Sequence, residues 1–170
     1  MGKDYFELLA KYNKETNNKM NGIIKNLSEA EWNKEFSGFF KSIHELCSHL
    51  FITDHTWLSR FKSLNLKSLK GECFNKNYSF KETLFKNIDE YITRRVEFDA
   101  IMVDFINELT VDDPGKILKW TDSRETAHEK SIGVCLLHLF NHETHHRAMI
   151  SLYLEMIGKE NDYSNLYPYG

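Results

Sequence analysis

Apolar side chains recur at intervals of three and four along most of this chain, the spacing of α-helices that bury one face. Between Asp4 and Leu27 they fall at Tyr5, Leu9, Tyr12, Met20, Ile23 and Leu27, with Thr16 filling the gap, which predicts a first helix over that span. Ser28-Glu29-Ala30-Glu31 has the capping-box form and predicts a short turn of helix before Gly38. A second box, Ser42-Ile43-His44-Glu45, opens the next helix, whose stripe is Ile43, Leu46, Cys47, Leu50, Phe51, Trp57, Leu58 and Phe61. The segment from Lys62 to Tyr78 is polar, lysine-rich and without period, a long connection with at most a short helix. Ser79-Phe80-Lys81-Glu82 is a third box, predicting a helix that carries Leu84, Ile88, Tyr91, Ile92, Phe98, Met102, Ile106 and Leu109. Val111-Asp112-Asp113-Pro114-Gly115 stops it. From Lys116 to Lys130 the pattern fits two short strands in a hairpin, with Thr121-Asp122-Ser123 at the turn. The last helix is predicted from about Ser131 to Ile157, ended by Gly158 and followed by a tail holding Tyr163, Tyr167 and Tyr169.

Four long amphipathic helices joined by two longer connections predict an all-α four-helix bundle, one domain over residues 1–170, with a possible short β-hairpin before the last helix. The apolar residues of that helix nearly encircle it: Leu136, Leu137, Phe140 and Leu154 lie away from Val134, Leu152 and Met156. A helix with no wet side is either central or at a subunit contact, so a homodimer is expected.

Composition narrows the class. Hydrophobic residues at 41% and charged residues at 28% are the balance of a chain that buries a core rather than one that stays disordered. A net charge of −3 gives no basic footprint for nucleic acid. The cysteines Cys47, Cys73 and Cys135 are odd in number and lack paired spacing, which points to a reducing compartment and, for Cys47 and Cys135, to core positions. Met1 to Ala10 lacks the charged start and apolar run of an export signal, and no stretch approaches the roughly 18 apolar residues of a membrane span. A cytoplasmic location is expected. Arg95 and Asp99, four apart, interrupt the third long helix's stripe, and Asp54 sits within the second's; a buried ion pair or a cap to a neighbouring tyrosine is the expected account, ahead of a substrate contact.

The histidines change the picture most. Of eight, His138, His142, His145 and His146 lie within nine residues of the last helix. At about 100° per residue all four fall within an arc of roughly 100°, and the His142/His146 pair projects from one face a turn apart. That is a chelating geometry, in which two ring nitrogens reach one ion at about 2.0–2.1 Å. A lone histidine on an apolar face is more often a hydrogen-bonded core residue, but a second buried imidazole doubles a desolvation cost that a metal ion would relieve. A further ligand must come from a facing helix. The second helix offers His44, His49 and His55, among which spacing does not choose. Measured from His142 to His145, the run falls one residue short of a His-Glu-x-x-His protease motif, so zinc-protease chemistry is not expected.

The stretch Gly38-Phe39-Phe40-Lys41-Ser42-Ile43-His44, with Ser48-His49-Leu50 and Asp54-His55-Thr56-Trp57-Leu58, resembles the second helix of the DinB (DinB/YfiT-like) family. Leu137-His138-Leu139-Phe140-Asn141-His142-Glu143-Thr144-His145-His146-Arg147 is similar to that family's last-helix signature, and Tyr12-Asn13, Thr16-Asn17 and the tail Asp162 to Leu166 extend the likeness over nearly the whole chain. The resemblance implies a four-helix bundle, commonly dimeric, with a three-histidine metal site: His49, then His142 and His146, holding zinc or nickel. Ala148-Met149 departs from the Gly-Gln that often follows the arginine in the family.

Three protein ligands with open positions form the catalytic rather than the structural pattern. Such an ion brings a bound water towards a pKa of about 7 or activates a thiolate in its place. The expected function is a metal-dependent thiol S-transferase or detoxifying enzyme, or a hydrolase, acting on a small molecule with a low-molecular-weight thiol as co-substrate. His138 and His145 are candidates for orienting the ligands or moving a proton. The rival is a non-enzymatic stress-response or interaction protein with a structural or vestigial metal. DNA binding, suggested by the family's DNA-damage-inducible namesakes, is the weakest reading.

Overall fold

A computed structural model describes residues 2–170; Met1, which opens the stretch read as carrying no export signal, lies outside them. The chain is mostly helical with a two-stranded antiparallel sheet. Helices α1 (Lys3–Ile24), α3 (Ile43–Phe61), α4 (Ile88–Glu108) and α5 (Ile132–Met156) are long, and α2 (Glu29–Trp32) is a single turn. Strands β1 (Ile117–Thr121) and β2 (Ala127–Ser131) form the expected hairpin, in register from Ile117 opposite Ser131 to Thr121 opposite Ala127. α1 lies against α4 and α5, and α3 against α5 and α4. Among the described residues no helix is long and apolar enough to cross a membrane.

Local chemistry explains most helix starts. Ser28 accepts from the Glu31 N–H while the Glu31 carboxylate accepts from the Ser28 N–H, so the first capping box is complete. Ser42 caps α3 through the Glu45 N–H, but the Glu45 carboxylate turns to the Lys41 N–H instead. The third box corrects the expectation drawn from it. Its bond from the Ser79 N–H to Glu82 forms, yet only a turn follows, and α4 begins at Ile88. Two contacts hold the intervening chain extended against α3: the Leu84 N–H donates to Ser48 Oγ, and the Leu84 carbonyl accepts from the His44 ring. Phe85 then takes a positive φ of 62°, which breaks any helix. The working cap is Asn87, whose side chain accepts from the Glu90 N–H. Asn87→Ala is therefore expected to cost about 1 kcal/mol, or about 2–4 °C in Tm. Ser79→Ala should stay within about 0.5 kcal/mol, and thermal unfolding of the two variants checks the assignment.

The connection from Lys62 to Asn75 is three single 3-10 turns rather than one short helix. At the other end of the chain α5 stops where Gly158 adopts φ 76°, the left-handed conformation that closes a helix. Cys47 and Cys135 are buried, free thiols, as expected of core positions. Val134, Leu137, Leu152 and Met156, on which the expectation of a homodimer rests, are exposed.

The interior departs from the apolar pattern on α1. Its buried residues are Phe6, Ala10, Tyr12, Asn13, Thr16, Asn17, Met20, Asn21 and Ile24: the expected stripe holds at Tyr12, Thr16 and Met20, Tyr5 is exposed, and the buried face widens to take in three asparagines. Asn13 and Asn17 are buried because they serve a polar network built from all four long helices. Arg95 of α4 donates to Asp54 of α3 at 2.6 Å and to Asp99 at 2.6 Å, and Asn17 donates to Asp99. On α5, Arg147 donates to Glu143 and to Asn13. Burial, together with the charge of Glu143, pushes the Asp54 carboxyl well above its ordinary range. Burial acts the same way on Glu143, but the hydrogen bond from Asp54 and the charges of Arg95 and Arg147 outweigh it and hold that carboxyl low. The carboxyls of Asp54, Asp99 and Glu143 thus face the guanidiniums of Arg95 and Arg147, so that opposite charges are paired, as a buried cluster requires.

Candidate metal centre

His49 projects from α3 towards α5, where His142 and His146 stand one turn apart. One ring nitrogen from each of the three lies within 4.8 Å of the others. His49 Nε2 and His142 Nε2 are 3.3 Å apart. Two nitrogens each about 2.05 Å from a tetrahedral ion would be separated by roughly 3.3–3.4 Å, so this pair already has the spacing of two ligands on one metal. The ring centroids of His49 and His146 are 4.6 Å apart, and those of His142 and His146 are 4.2 Å apart.

Electrostatics keeps the cluster in the form a cation needs. Burial lowers the His142 pKa to about 4, an effect Glu143 partly offsets and the neighbouring imidazoles reinforce. Burial, with the charges of His142, His49 and His145, lowers His146 to about 3, and burial also lowers His49. All three rings are therefore neutral near pH 7, with lone pairs free. Nδ1 of each is buried and has no hydrogen-bond partner among the described residues. Three neutral imidazoles, His146 buried and His49 and His142 half-buried, converging on one point fit a divalent cation.

The site lies near the surface rather than in the middle of the helices. His49 and His142 are half-buried, and the centre is taken by the Arg95 network. Phe40 packs on His49 and His146, with ring centroids 4.6 and 5.4 Å away, while exposed Phe80 lies 6.3 Å from His49. Among the described residues no fourth histidine, cysteine or carboxylate joins the three.

The other histidines sort by place. His138 and His145 are exposed and outside the ligand cluster: His138 packs on Trp57 with its ring 6.2 Å from His142, and His145 stands edge-on to His146 at 4.8 Å. His44 bonds to Asn33 and the Leu84 carbonyl and stacks on Trp32, while His55 bonds to the Cys73 carbonyl at 2.9 Å. The two alternatives that spacing left open on α3 are thus engaged elsewhere. The tail folds away from the mouth of the site; Tyr12 donates to the Tyr163 carbonyl and its ring meets Tyr169.

Glu143 corrects the motif arithmetic. Counted from His142 to His146, the run does spell His-Glu-x-x-His. What removes it from protease chemistry is its environment. The carboxylate is fully buried and accepts from Arg147 at 2.9 Å, so it is held in the interior and is not free to act as a base on a substrate.

The model of the DinB family matches residues 1–168. Among curated proteins, Protein DinB of Bacillus subtilis (strain 168) is 26% identical over 163 residues, covering 91% of this chain and 87% of the relative. The match spans all five helices, the hairpin and every histidine of the cluster: the chain belongs to the DinB family.

Proposed function

We propose that the chain is one four-helix-bundle domain whose His49, His142 and His146 hold a divalent metal ion, zinc or nickel. We further propose that it is a metal-dependent enzyme of the thiol S-transferase or hydrolase type. The observation that carries this reading is the convergence of three neutral ring nitrogens at a half-exposed point with no further protein ligand nearby. When bound, the ion would supply Lewis acidity, drawing the pKa of a water or low-molecular-weight thiol towards neutrality. The chain's own part is to fix the three donors on two rigid helices, to hold them unprotonated by burial, and to shield one side with Phe40. His138 and His145, both exposed, would orient the ligands or move a proton between the site and solvent. The substrate would be a small electrophile, met in the cytoplasm.

Protein purified without a histidine tag should carry about one metal per chain by elemental analysis. It should also consume a thiol together with an epoxide or halide, in a reaction lost in His146→Ala. Metal occupancy without thiol-dependent or hydrolytic turnover across a broad panel would favour a scaffold with a structural ion instead.

A further inference from the structure

Beside the histidine cluster lies a second feature that the proposed chemistry does not use. A cavity of about 250 Å³ opens between the hairpin and the first turns of α5, lined by Trp57, Trp120, His128, Val134, Cys135 and His138, with exposed Lys130. No carboxylate or amide side chain contributes to it. We infer that this aromatic slot is a binding subsite for a flat apolar group, an aryl or compact alkyl moiety of the electrophile that the metal centre would act on. As an account of substrate it rests on the metalloenzyme reading above.

Size argues for one group of a substrate rather than a whole one. A cavity of about 150 Å³ accepts benzene, whereas pockets for complete drug-sized ligands run from about 300 Å³ upwards. The walls are set before any ligand arrives. Trp57 and Trp120 meet edge-on at 5.4 Å, and the Arg60 guanidinium lies over both rings, at 4.4 and 5.3 Å. His128 stacks on Trp120 at 5.1 Å and is fastened by its 2.9 Å bond to Asp122 at the turn of the hairpin. The half-exposed rings of Trp120 and His128 are thus held in place, and stacking a flat apolar group there would order nothing new.

Position ties the slot to the chemistry. His138 is a wall of the cavity, packed on Trp57 at 5.2 Å, and its ring is 6.2 Å from His142. That one side chain thus borders both the slot and the histidine cluster. The groove of about 400 Å³ between α5 and the tail has no such continuity. It is lined by polar side chains such as Thr144, Arg147, Ser151 and Asn161, on the flank of α5 opposite the histidines.

The test uses 2-naphthol as probe with the full chain, with and without added zinc. The chain has three tryptophans, so its indole N–H resonances report by residue. Trp57 and Trp120 should shift on titration while Trp32, buried against His44, should not. Val134 is 51% exposed on α5, so Val134→Arg can close the mouth without entering the core; it should weaken binding at least tenfold. Val134→Ala should bind within about threefold of the parent, a change of roughly 0.65 kcal/mol. Both variants should keep the parent's metal content and Tm. Naphthol shifts that survive Val134→Arg, or that are absent in the parent at millimolar probe, overturn the inference. If the parent binds no metal but retains Val134-dependent shifts, the metalloenzyme reading falls and the slot stands as an apolar-ligand site. If metal binds and naphthol does not, the slot alone is refuted.

Discussion

Alanine at position 142 is expected to take the protein from about one bound metal per chain to almost none. Removing a partner that merely orients a metal ligand costs about 10–100-fold in affinity, so deleting one of three ligands should cost more than about 100-fold. The same loss will show in thermal unfolding. With free metal at about 1,000 times its Kd, binding adds about 4 kcal/mol, which for a chain of this size raises Tm by about 8–16 °C. His142→Ala should show no such rise. Its metal-free Tm should stay close to the parent's, because a half-buried imidazole with an orphaned Nδ1 contributes little to folding. His128→Ala is the matched control: that ring bonds to Asp122 in the hairpin and stands outside the cluster. Full metal content in His142→Ala at unchanged affinity would remove the site.

Arg95→Met carries the largest expected cost to stability. Arg95 is completely buried, and its guanidinium bridges Asp54 and Asp99 through two 2.6 Å bonds. Methionine fills much of the volume but strands carboxylates in the interior, a loss of about 3–5 kcal/mol. The sign of the pH dependence separates stranded charge from simple packing loss. Burial already raises Asp99 to about 6 against the opposing charge of Arg95, and without Arg95 it rises further. A carboxyl whose folded pKa exceeds its unfolded value of about 3.9 binds extra protons when folded, so stability falls as pH climbs from there through the folded pKa. Arg95→Met should therefore be less destabilised at pH 5 than at pH 7.5 in urea unfolding. Adding Asp99→Asn should recover part of the deficit at pH 7.5. A penalty independent of pH would mean that only packing was lost.

These two variants also mark how far the amino-acid pattern reaches. The i,i+4 arrangement of His142 and His146 was legible because it depends on nothing beyond one helical turn. So were the hairpin, the caps at Ser28 and Ser42 and the end of α5 at Gly158. Ser79 shows the limit of such signals. Only half of its box forms, the Ser79 N–H donating to Glu82 while Ser79 Oγ accepts from the Lys81 N–H, and the bonds holding Leu84 to His44 and Ser48 decide that no helix follows. The Asn87 and Glu90 pair carried the same kind of cap and was the one in use. On α1 the expected stripe holds at Tyr12, Thr16 and Met20, but the buried face is wider than the apolar pattern for a related reason. Asn13 and Asn17 look like solvent positions until Arg147 and Asp99 arrive to bond them.

By itself the sequence determined the helical periods, the turn between the strands, the family likeness and the pair of histidines on one face. Each of these rests on neighbours within a few residues or on the order of residue types. Only the tertiary structure decided that His49, 93 residues before His142, brings its ring nitrogen to 3.3 Å from the other. It also decided that burial keeps those rings neutral, and that Glu143 belongs to the interior rather than to the site. Helical pitch fixes directions along one rod, but which rods meet, and how deeply, follows from packing the whole chain around a charge-balanced centre.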